Sequence, residues 1–134
     1  MTSNAIDNRF YFCYGIYMKI IDNKISLSEL KEMSANMYGD LVKAVVDVKK
    51  EIMAVDAELH ADEEKLLLEQ GSSQSDLWGI NLYLDLNGED FLEFDSMINL
   101  RPSRNNRSRG VDDKDVRGKI RKIVNNLLDY GIPA

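Results

Sequence analysis

Apolar residues recur at helical spacing in three stretches of the chain. In the first, Ser26 followed three residues later by Glu29 is a capping box, which predicts a helix start ahead of the apolar stripe Leu27, Leu30, Met33 and Met37. Residues 61–70 combine strong helix formers with an acidic first turn and precede Gly71, so they predict a second helix. Asp112 is the expected N-cap of a final helix, whose apolar stripe is Val116, Ile120, Ile123, Val124, Leu127 and Leu128.

Apolar and polar residues alternate in the stretches between these helices, a pattern that predicts strands. The expected hairpins pair 41–48 with 52–59 and 78–86 with 91–100. A polar break at 49–51 joins the strands of the first hairpin, and Asn87-Gly88, a strong two-residue turn signal, joins those of the second. A short additional strand is expected over 18–25, before the first helix.

These elements follow the order α-β-β-α-β-β-α, which predicts a single α+β domain over residues 18–134. We expect a mainly antiparallel, four-stranded sheet made of the two hairpins, with the helices packed on one face. An antiparallel sheet can leave its second face open to solvent. That open face is expected to be polar, with Asn81, Tyr83, Asp95 and Asn99 on it.

The first 17 residues are interpreted as an N-terminal extension or a docked arm. Residues 10–18 form an uncharged aromatic run, far shorter than the roughly 20 residues that a membrane-spanning helix needs. No signal-peptide cleavage site follows this run, and Met18 is a second candidate for the start of translation. We therefore expect a cytoplasmic protein without a membrane partner.

The composition is that of a folded domain with an uneven distribution of charge. Of the 134 residues, 44% are hydrophobic, and the net charge is −6. Residues 51–95 contain thirteen acidic residues and one basic residue, whereas residues 96–134 contain nine basic and four acidic ones. Such asymmetry indicates charged partners or pairing within the protein. The single Cys excludes an internal disulfide framework and a cysteine-based zinc site, and the single His excludes a His-rich metal centre.

The arginines of the basic end are the leading candidates for a binding site. Guanidinium groups bind phosphates and carboxylates through paired hydrogen bonds, and the loop that carries most of them precedes a helix N-terminus, a natural anion site. The predicted anion-binding residues are Arg101, Arg104, Arg107, Arg109, Arg117 and Arg121. A nucleic acid or another polyanion is the expected partner. In the alternative interpretation, these arginines pair with the acidic stretch 51–95, within the chain or across a homodimer.

A group of acidic residues around the single His is a second candidate site. Asp47, Glu58, His60 and Asp62 have the ligand chemistry of a divalent metal site, which would make the chain a metal-dependent hydrolase or nuclease. Alternatively, His60 or Asp62 caps the helix at 61–70 and the remaining carboxylates are solvated. The second interpretation needs no metal ion, and the sequence indicates no other cofactor.

Five short segments carry a further signal. They are Glu58-Leu59-His60-Ala61-Asp62, Gly71-Ser72, Leu77-Trp78-Gly79-Ile80-Asn81, Phe94-Asp95-Ser96-Met97-Ile98-Asn99-Leu100-Arg101-Pro102 and Asn106-Arg107-Ser108-Arg109-Gly110-Val111. With these segments the chain, from about residue 18 to residue 130, resembles a family of short prokaryotic proteins of unknown function. The resemblance implies membership of that family and transfers no activity. Residues 1–17 lie outside it.

Taken together, these patterns favour a small interaction protein over an enzyme. The metal-dependent hydrolase and the homodimer with paired acidic and basic halves stay open as alternatives. The surroundings of Arg104 and Arg107 discriminate between the interpretations. Exposed guanidinium groups favour binding of an anionic partner, whereas contacts with Asp85, Glu93 and Asp95 favour a structural role.

Overall fold

A computed structural model describes residues 8–13 and 15–131 of the chain. It contains helices α1 (Leu27–Ala35), α2 (His60–Glu69) and α3 (Lys114–Leu127). The six strands of its main sheet are β1 (Arg9–Cys13), β2 (Ile16–Ile21), β4 (Leu41–Asp47), β5 (Ile52–Val55), β6 (Leu77–Tyr83) and β7 (Leu92–Glu93), in the antiparallel order β1-β2-β5-β4-β6-β7. A separate parallel pair, β3 (Ile25–Ser26) and β8 (Leu128–Asp129), joins the start of α1 to the end of α3. None of the described helices has the length and apolar character needed to cross a membrane.

The α+β class and the mainly antiparallel sheet are confirmed, but the sheet has six strands where four were expected. The difference comes from the aromatic start of the chain, where β1 and β2 form a hairpin and β2 pairs with β5. Aromatic and β-branched residues pack well on a pleated surface, which explains why this stretch joins the sheet. Residues 9–13 of the expected extension are therefore strand β1, while residues 1–7 lie outside the described residues. The division into 1–17 and 18–134 stays a prediction.

The helices lie on both faces of the sheet, so the expectation that they share one face is wrong. α1 and α3 cover the face to which Val46 and Ile80 contribute. α2 covers the opposite face, where Val45 is buried against Leu66 and Leu67. Successive residues of a strand point to opposite faces, and β4 is apolar on both. Each face therefore needs its own helical cover.

The second hairpin is the element in which the structure departs furthest from the expected pattern. β6 forms, but its partner β7 has only two residues, and Gly88 starts a turn of 3-10 helix in place of a two-residue hairpin turn. After β7 the chain leaves the sheet, because the Ser96 hydroxyl accepts a hydrogen bond from the backbone N–H of Ile98 and starts another such turn. Among the described residues, only β7 pairs with this outer edge of β6.

The helix ends agree with most of the expected caps. The Ser26 hydroxyl accepts a hydrogen bond from the backbone N–H of Glu29 at 3.1 Å, which confirms the N-cap of α1. Gly71 follows α2 with φ of +99°, a left-handed conformation that favours glycine. α3 begins one residue later than expected, because its N-cap is Asp113 and not Asp112.

Two glycines in regular elements should respond in opposite ways to alanine. A Cβ at Gly79 in β6 would lie 2.6 Å from the Ser96 side chain and 3.2 Å from the His60 ring, whereas nothing lies within 4 Å of a Cβ at Gly118 in α3. Gly79→Ala should therefore destabilise the fold by about 1–3 kcal/mol, and Gly118→Ala should stabilise it by up to about 1 kcal/mol. Urea unfolding followed by circular dichroism measures both changes. Equal effects of the two substitutions would contradict the close packing on β6.

Candidate functional site

Side chains complete the outer edge of β6 where β7 has ended. The side-chain amide of Asn99 accepts a hydrogen bond from the backbone N–H of Gly79 at 2.8 Å and donates one to the Gly79 carbonyl at 3.0 Å. A primary amide offers the same donor and acceptor as a peptide group, so Asn99 bonds Gly79 as a neighbouring strand would. The guanidinium of Arg101 donates to the carbonyl of Leu77, two residues along the same edge. The chain after β7 is thereby attached to β6 without forming a strand.

Asn106 has a similar function in the loop that follows. Its amide nitrogen donates to the carbonyls of Asn99, Ser108 and Gly110 at 2.7, 3.2 and 2.8 Å, and its oxygen accepts from a backbone N–H six residues along at 2.8 Å. The side chain is buried, and a fully bonded buried amide favours one backbone conformation. We call residues 102–112 the arginine loop. Asn106 fixes its conformation.

Arg101 is buried in contacts within the chain. Its guanidinium also donates to the carbonyl of Ile98 at 3.0 Å, lies 3.8 Å from the Glu64 carboxylate, and sits over the Trp78 ring with its carbon 4.7 Å from the ring centroid. Only 10% of the Arg101 side chain is exposed, and burial lowers the pKa of its guanidinium. Arg101 therefore joins α2 and β6 to the base of the arginine loop, and it is not positioned as an exposed anion ligand.

Three of the other predicted anion-binding arginines also contact the rest of the chain. Arg109 donates through Nε to the Asp95 carboxylate at 2.7 Å. Arg117 donates to two backbone carbonyls just before α3, at 2.6 and 3.2 Å. Arg121 lies over the Phe94 ring, with 5.1 Å between its guanidinium carbon and the ring centroid. These contacts hold the guanidinium groups against the protein surface.

Arg104 and Arg107 differ from the other four arginines. Both are exposed, and within the described part of the chain neither guanidinium has an acidic partner. Their loop is fixed by Asn106 and by Asp112, whose carboxylate accepts from the Ser108 hydroxyl and from the backbone N–H of Arg107 at 2.7 Å. The same two hydrogen bonds lower the pKa of Asp112. Two cationic side chains thus project from a loop of defined backbone conformation.

The N-terminus of α3 is occupied by carboxylates of the chain itself. The N-cap Asp113 accepts a hydrogen bond from the backbone N–H of Asp115 at 2.8 Å. Asp115 adds a further negative charge in the first turn. The sequence predicts that this helix terminus contributes to an anion site. In the structure, the protein's own carboxylates occupy that position.

The polar face of β6 is covered, although the sequence predicts it to be open. Asn81 is 5% exposed and Asn99 is fully buried, while Tyr83 and Asp95 are half-buried. The Asn81 amide and the Tyr83 hydroxyl both donate to one carboxylate oxygen of Glu93, at 2.9 and 3.0 Å. The chain after β7 packs against this face. The sequence prediction places the same residues in a strand beside β6, and so leaves the face bare.

Two ionisable side chains of α2 are buried between the helix and the sheet. His60 Nε2 lies 2.7 Å from the carbonyl oxygen of Ile80, so this nitrogen carries the proton that it donates. Burial lowers the pKa of His60 from 6.5 to about 4, which keeps the imidazole neutral. Glu63 is fully buried, and one of its carboxyl oxygens accepts from the backbone N–H of Ala57 at 3.2 Å while the other has no partner among the described residues. Burial raises the pKa of Glu63, which favours its protonated form.

The candidate metal ligands do not come together. β4 and β5 pair so that Asp47 lies at the turn between them, whereas Glu58, His60 and Asp62 follow the far end of β5. Asp47 instead fixes that turn, because its carboxylate accepts hydrogen bonds from two backbone N–H groups and one hydroxyl. No three His, Cys, Asp or Glu side chains in the described part of the chain form a group that could hold a metal ion.

Comparison with known proteins identifies a family. A family described as "Protein of unknown function (DUF5674)" matches the chain over residues 19–127. The chain belongs to this family. No curated protein and no solved structure matches the chain. The DUF5674 match begins within β2 and includes the whole arginine loop, whereas β1 lies outside it.

Two residues on which this part of the DUF5674 chain depends are not identified by sequence reasoning. In the sequence, Asn106 is only a polar spacer between arginines, and Glu63 is one acid among several in a helix turn. No local pattern marks either role, because both follow from tertiary contacts. The one available signal for Asn106 is the lack of apolar side chains over residues 103–110, since such a stretch depends on hydrogen bonds to hold one conformation.

Replacing Asn106 by Ala should loosen the arginine loop and leave the sheet intact. The substitution removes the donor for the Asn99 and Gly110 carbonyls, so we expect a loss of about 1–3 kcal/mol in unfolding free energy. Amide hydrogen exchange should accelerate over residues 102–112 and not in β4. Ser103→Ala, at an exposed position of the same loop, is the matched control. A uniform loss of protection along the whole chain would contradict a local role.

The pH dependence of stability should change when Glu63 is replaced by Gln. Because burial raises the pKa of Glu63 above 4.5, the folded state retains a proton that the unfolded chain releases, so this group destabilises the fold increasingly as the pH rises above 4.5. Gln does not ionise and still offers an acceptor to Ala57. Urea unfolding at a series of pH values should show a gain in stability of Glu63→Gln over the wild type that grows with pH. The exposed substitution Glu32→Gln is the control, and a Glu63→Gln difference that does not vary with pH would refute the assignment.

Proposed function

We propose that this DUF5674 chain is a binding protein that holds the backbone phosphates of a nucleic acid through Arg104 and Arg107. The proposal is supported by one observation above all. Both guanidinium groups are exposed and without acidic partners on a loop whose backbone is fixed by buried hydrogen bonds. Arg101 and Arg109, in contrast, are engaged in the contacts that hold the loop in place.

The chemistry of the loop suits phosphate groups. Each guanidinium is planar, permanently charged and able to donate two parallel hydrogen bonds to one phosphate. Asn105, with φ of +64°, turns the backbone between the two arginines, and asparagine adopts this left-handed conformation more readily than most residues. The exposed Ser103 adds a neutral donor beside them. Because the loop is already ordered, binding costs little backbone entropy.

The charge around the loop favours a partner with many negative charges over a single small anion. Residues 96–134 contain nine basic and four acidic residues, and α3, which follows the loop, carries the exposed Lys114, Lys119 and Lys122. A nucleic acid backbone repeats its charges and gains affinity from the counterions released at each contact. The acidic stretch 51–95 repels such a partner, which restricts its approach to the basic end.

Binding of nucleic acid should be detectable at low salt and should depend on the two free arginines. We expect the double substitution Arg104→Ala/Arg107→Ala to weaken binding of a labelled oligonucleotide roughly tenfold or more. The slope of log affinity against log salt concentration should fall in magnitude by about 2, because each phosphate contact contributes about 0.9 to it. Fluorescence anisotropy with single-stranded and double-stranded oligonucleotides gives both quantities.

The matched control removes the same charge from another side of the molecule. Lys24 and Lys31 are exposed and contact Asn126 at the end of α3 and Asp85 beyond the end of β6, whereas the arginine loop is attached at the start of β6 and precedes α3. Lys24→Ala/Lys31→Ala should change the affinity by less than about twofold. The proposal would be overturned if neither oligonucleotide bound at low salt. It would also be overturned if the two double variants lost affinity equally.

A further inference from the structure

The sheet ends at β1, a strand with an unusual surface. Within the described residues, no strand lies beyond it. Phe10 and Phe12 of β1 and Tyr17 of β2 are 63%, 61% and 65% exposed. Natural edge strands are usually protected by charge, proline or a covering element, because their free backbone groups are templates for pairing with another chain. This edge presents aromatic side chains instead, and no strand among the described residues pairs with its outer backbone groups.

The three aromatic residues lie on one face of the sheet. β1 and β2 pair in the register Phe12↔Tyr17 and Phe10↔Lys19, which places these side chains on one face of the sheet. The Phe12 and Tyr17 rings lie 4.5 Å apart, and the Lys19 ammonium lies 4.6 Å from the centroid of the Phe10 ring. Exposed apolar patches of this kind mark interaction surfaces.

The start of β1 is fixed in place. The Asn8 side chain donates to the carbonyl of Lys24 at 2.9 Å and accepts from the backbone N–H groups of Asp22 and Asn23 at 3.1 and 3.2 Å. These hydrogen bonds tie β1 to the turn that follows β2. The edge is therefore already ordered before any partner binds, which lowers the entropy cost of association.

The free edge of β1 offers a defined set of hydrogen-bonding groups. Only two residues separate the paired residues Cys13 and Ile16, and a two-residue hairpin closes on a hydrogen-bonded pair. Hydrogen-bonded and non-bonded pairs alternate along an antiparallel ladder. The N–H and C=O groups of Phe10 and Phe12 therefore point away from β2, toward the open edge.

We propose that two copies of this chain associate through β1, in antiparallel orientation about a two-fold axis at Tyr11. In this register Phe10 of each copy faces Phe12 of the other, and these are the residues whose backbone groups are free. The two pairs can exchange all of those donors and acceptors. The facing aromatic side chains also stabilise the strand pair. Arg9 is the one charged residue of β1 and does not face itself in this register, so no like charges are opposed.

The charge distribution is compatible with this contact. Residues 1–50 contain seven basic and six acidic residues, and the excess negative charge lies in 51–95. A five-residue strand buries less surface than the roughly 1,200–2,000 Å² of a standard interface, so we expect a weak dimer in reversible equilibrium with the monomer. The contact does not involve the arginine loop, and its failure would leave the proposed function untouched.

Sedimentation equilibrium of the full chain tests the contact. The wild type should show a reversible monomer–dimer equilibrium, and both Phe10→Glu/Phe12→Glu and Phe10→Lys/Phe12→Lys should be monomeric, because like charges then face each other. An equimolar mixture of these two variants should restore the dimer, since each Glu then faces a Lys. Met97→Glu/Leu100→Glu replaces two exposed apolar residues elsewhere and should dimerise as the wild type does.

If a variant fails to fold, amide hydrogen exchange of the unsubstituted chain tests the proposed contact. The amides of Phe10 and Phe12 should exchange roughly tenfold or more slowly when the protein is concentrated enough to dimerise, whereas the Tyr11 amide, bonded to β2, should not change. A wild type that stays monomeric at all concentrations would overturn the proposal and leave the edge to an extended segment of another protein. Dimers that persist in both charged variants, or a mixture that stays monomeric, would also overturn it.

Discussion

The outer edge of β6 imposes the constraint on which much of this structure depends. A strand edge that is covered by the chain must have its backbone donors and acceptors bonded, and β7 supplies only two residues for this purpose. Asn99 and Arg101 supply further hydrogen bonds, to Gly79 and to the Leu77 carbonyl. Because these side chains must reach fixed backbone atoms, they determine where the chain after β7 runs. The position of the arginine loop follows from the same contacts.

The same edge is connected to α2, a helix with several buried polar groups. Arg101 extends from β6 toward α2, and a largely buried cation is tolerated there because Glu64, Trp78 and two carbonyls surround it. Two other ionisable groups of α2 are accommodated in another way, since burial favours the neutral form of both His60 and Glu63. The α2 layer is therefore held by specific hydrogen bonds as well as by apolar packing, and this specificity fixes the register of the helix on the sheet.

The sequence predicts those parts of the fold that depend on local pattern. The cap at Ser26, the left-handed Gly71 and the first hairpin all follow from residues close to them in the chain. The prediction of the second hairpin is wrong for a physical reason. The alternation of apolar and polar residues through 91–100 does not show that Ser96 starts a turn or that Asn99 bonds Gly79. Helices cover both faces of the sheet because β4 is apolar on both. In the sequence, the apolar residues of β4 are consistent with one buried face or with two. At the candidate site, the sequence marks the arginines but cannot separate those that are bonded within the chain from those that are free.

Separating the bonded arginines from the free ones changes the interpretation of the uneven charge along the chain. The acidic middle and the basic end neutralise each other in part, through Arg101 with Glu64 and Arg109 with Asp95. Arg104 and Arg107 take no part in this pairing. Exposed arginines alone are weak evidence of a binding site, since they cost the fold little. Here their backbone is fixed at the cost of burying two asparagine amides, Asn99 and Asn106, in a network that an apolar loop or a longer β7 would make unnecessary. A loop ordered in this way defines the position of the two cations, and a defined position matters for recognition of a partner more than it does for solubility.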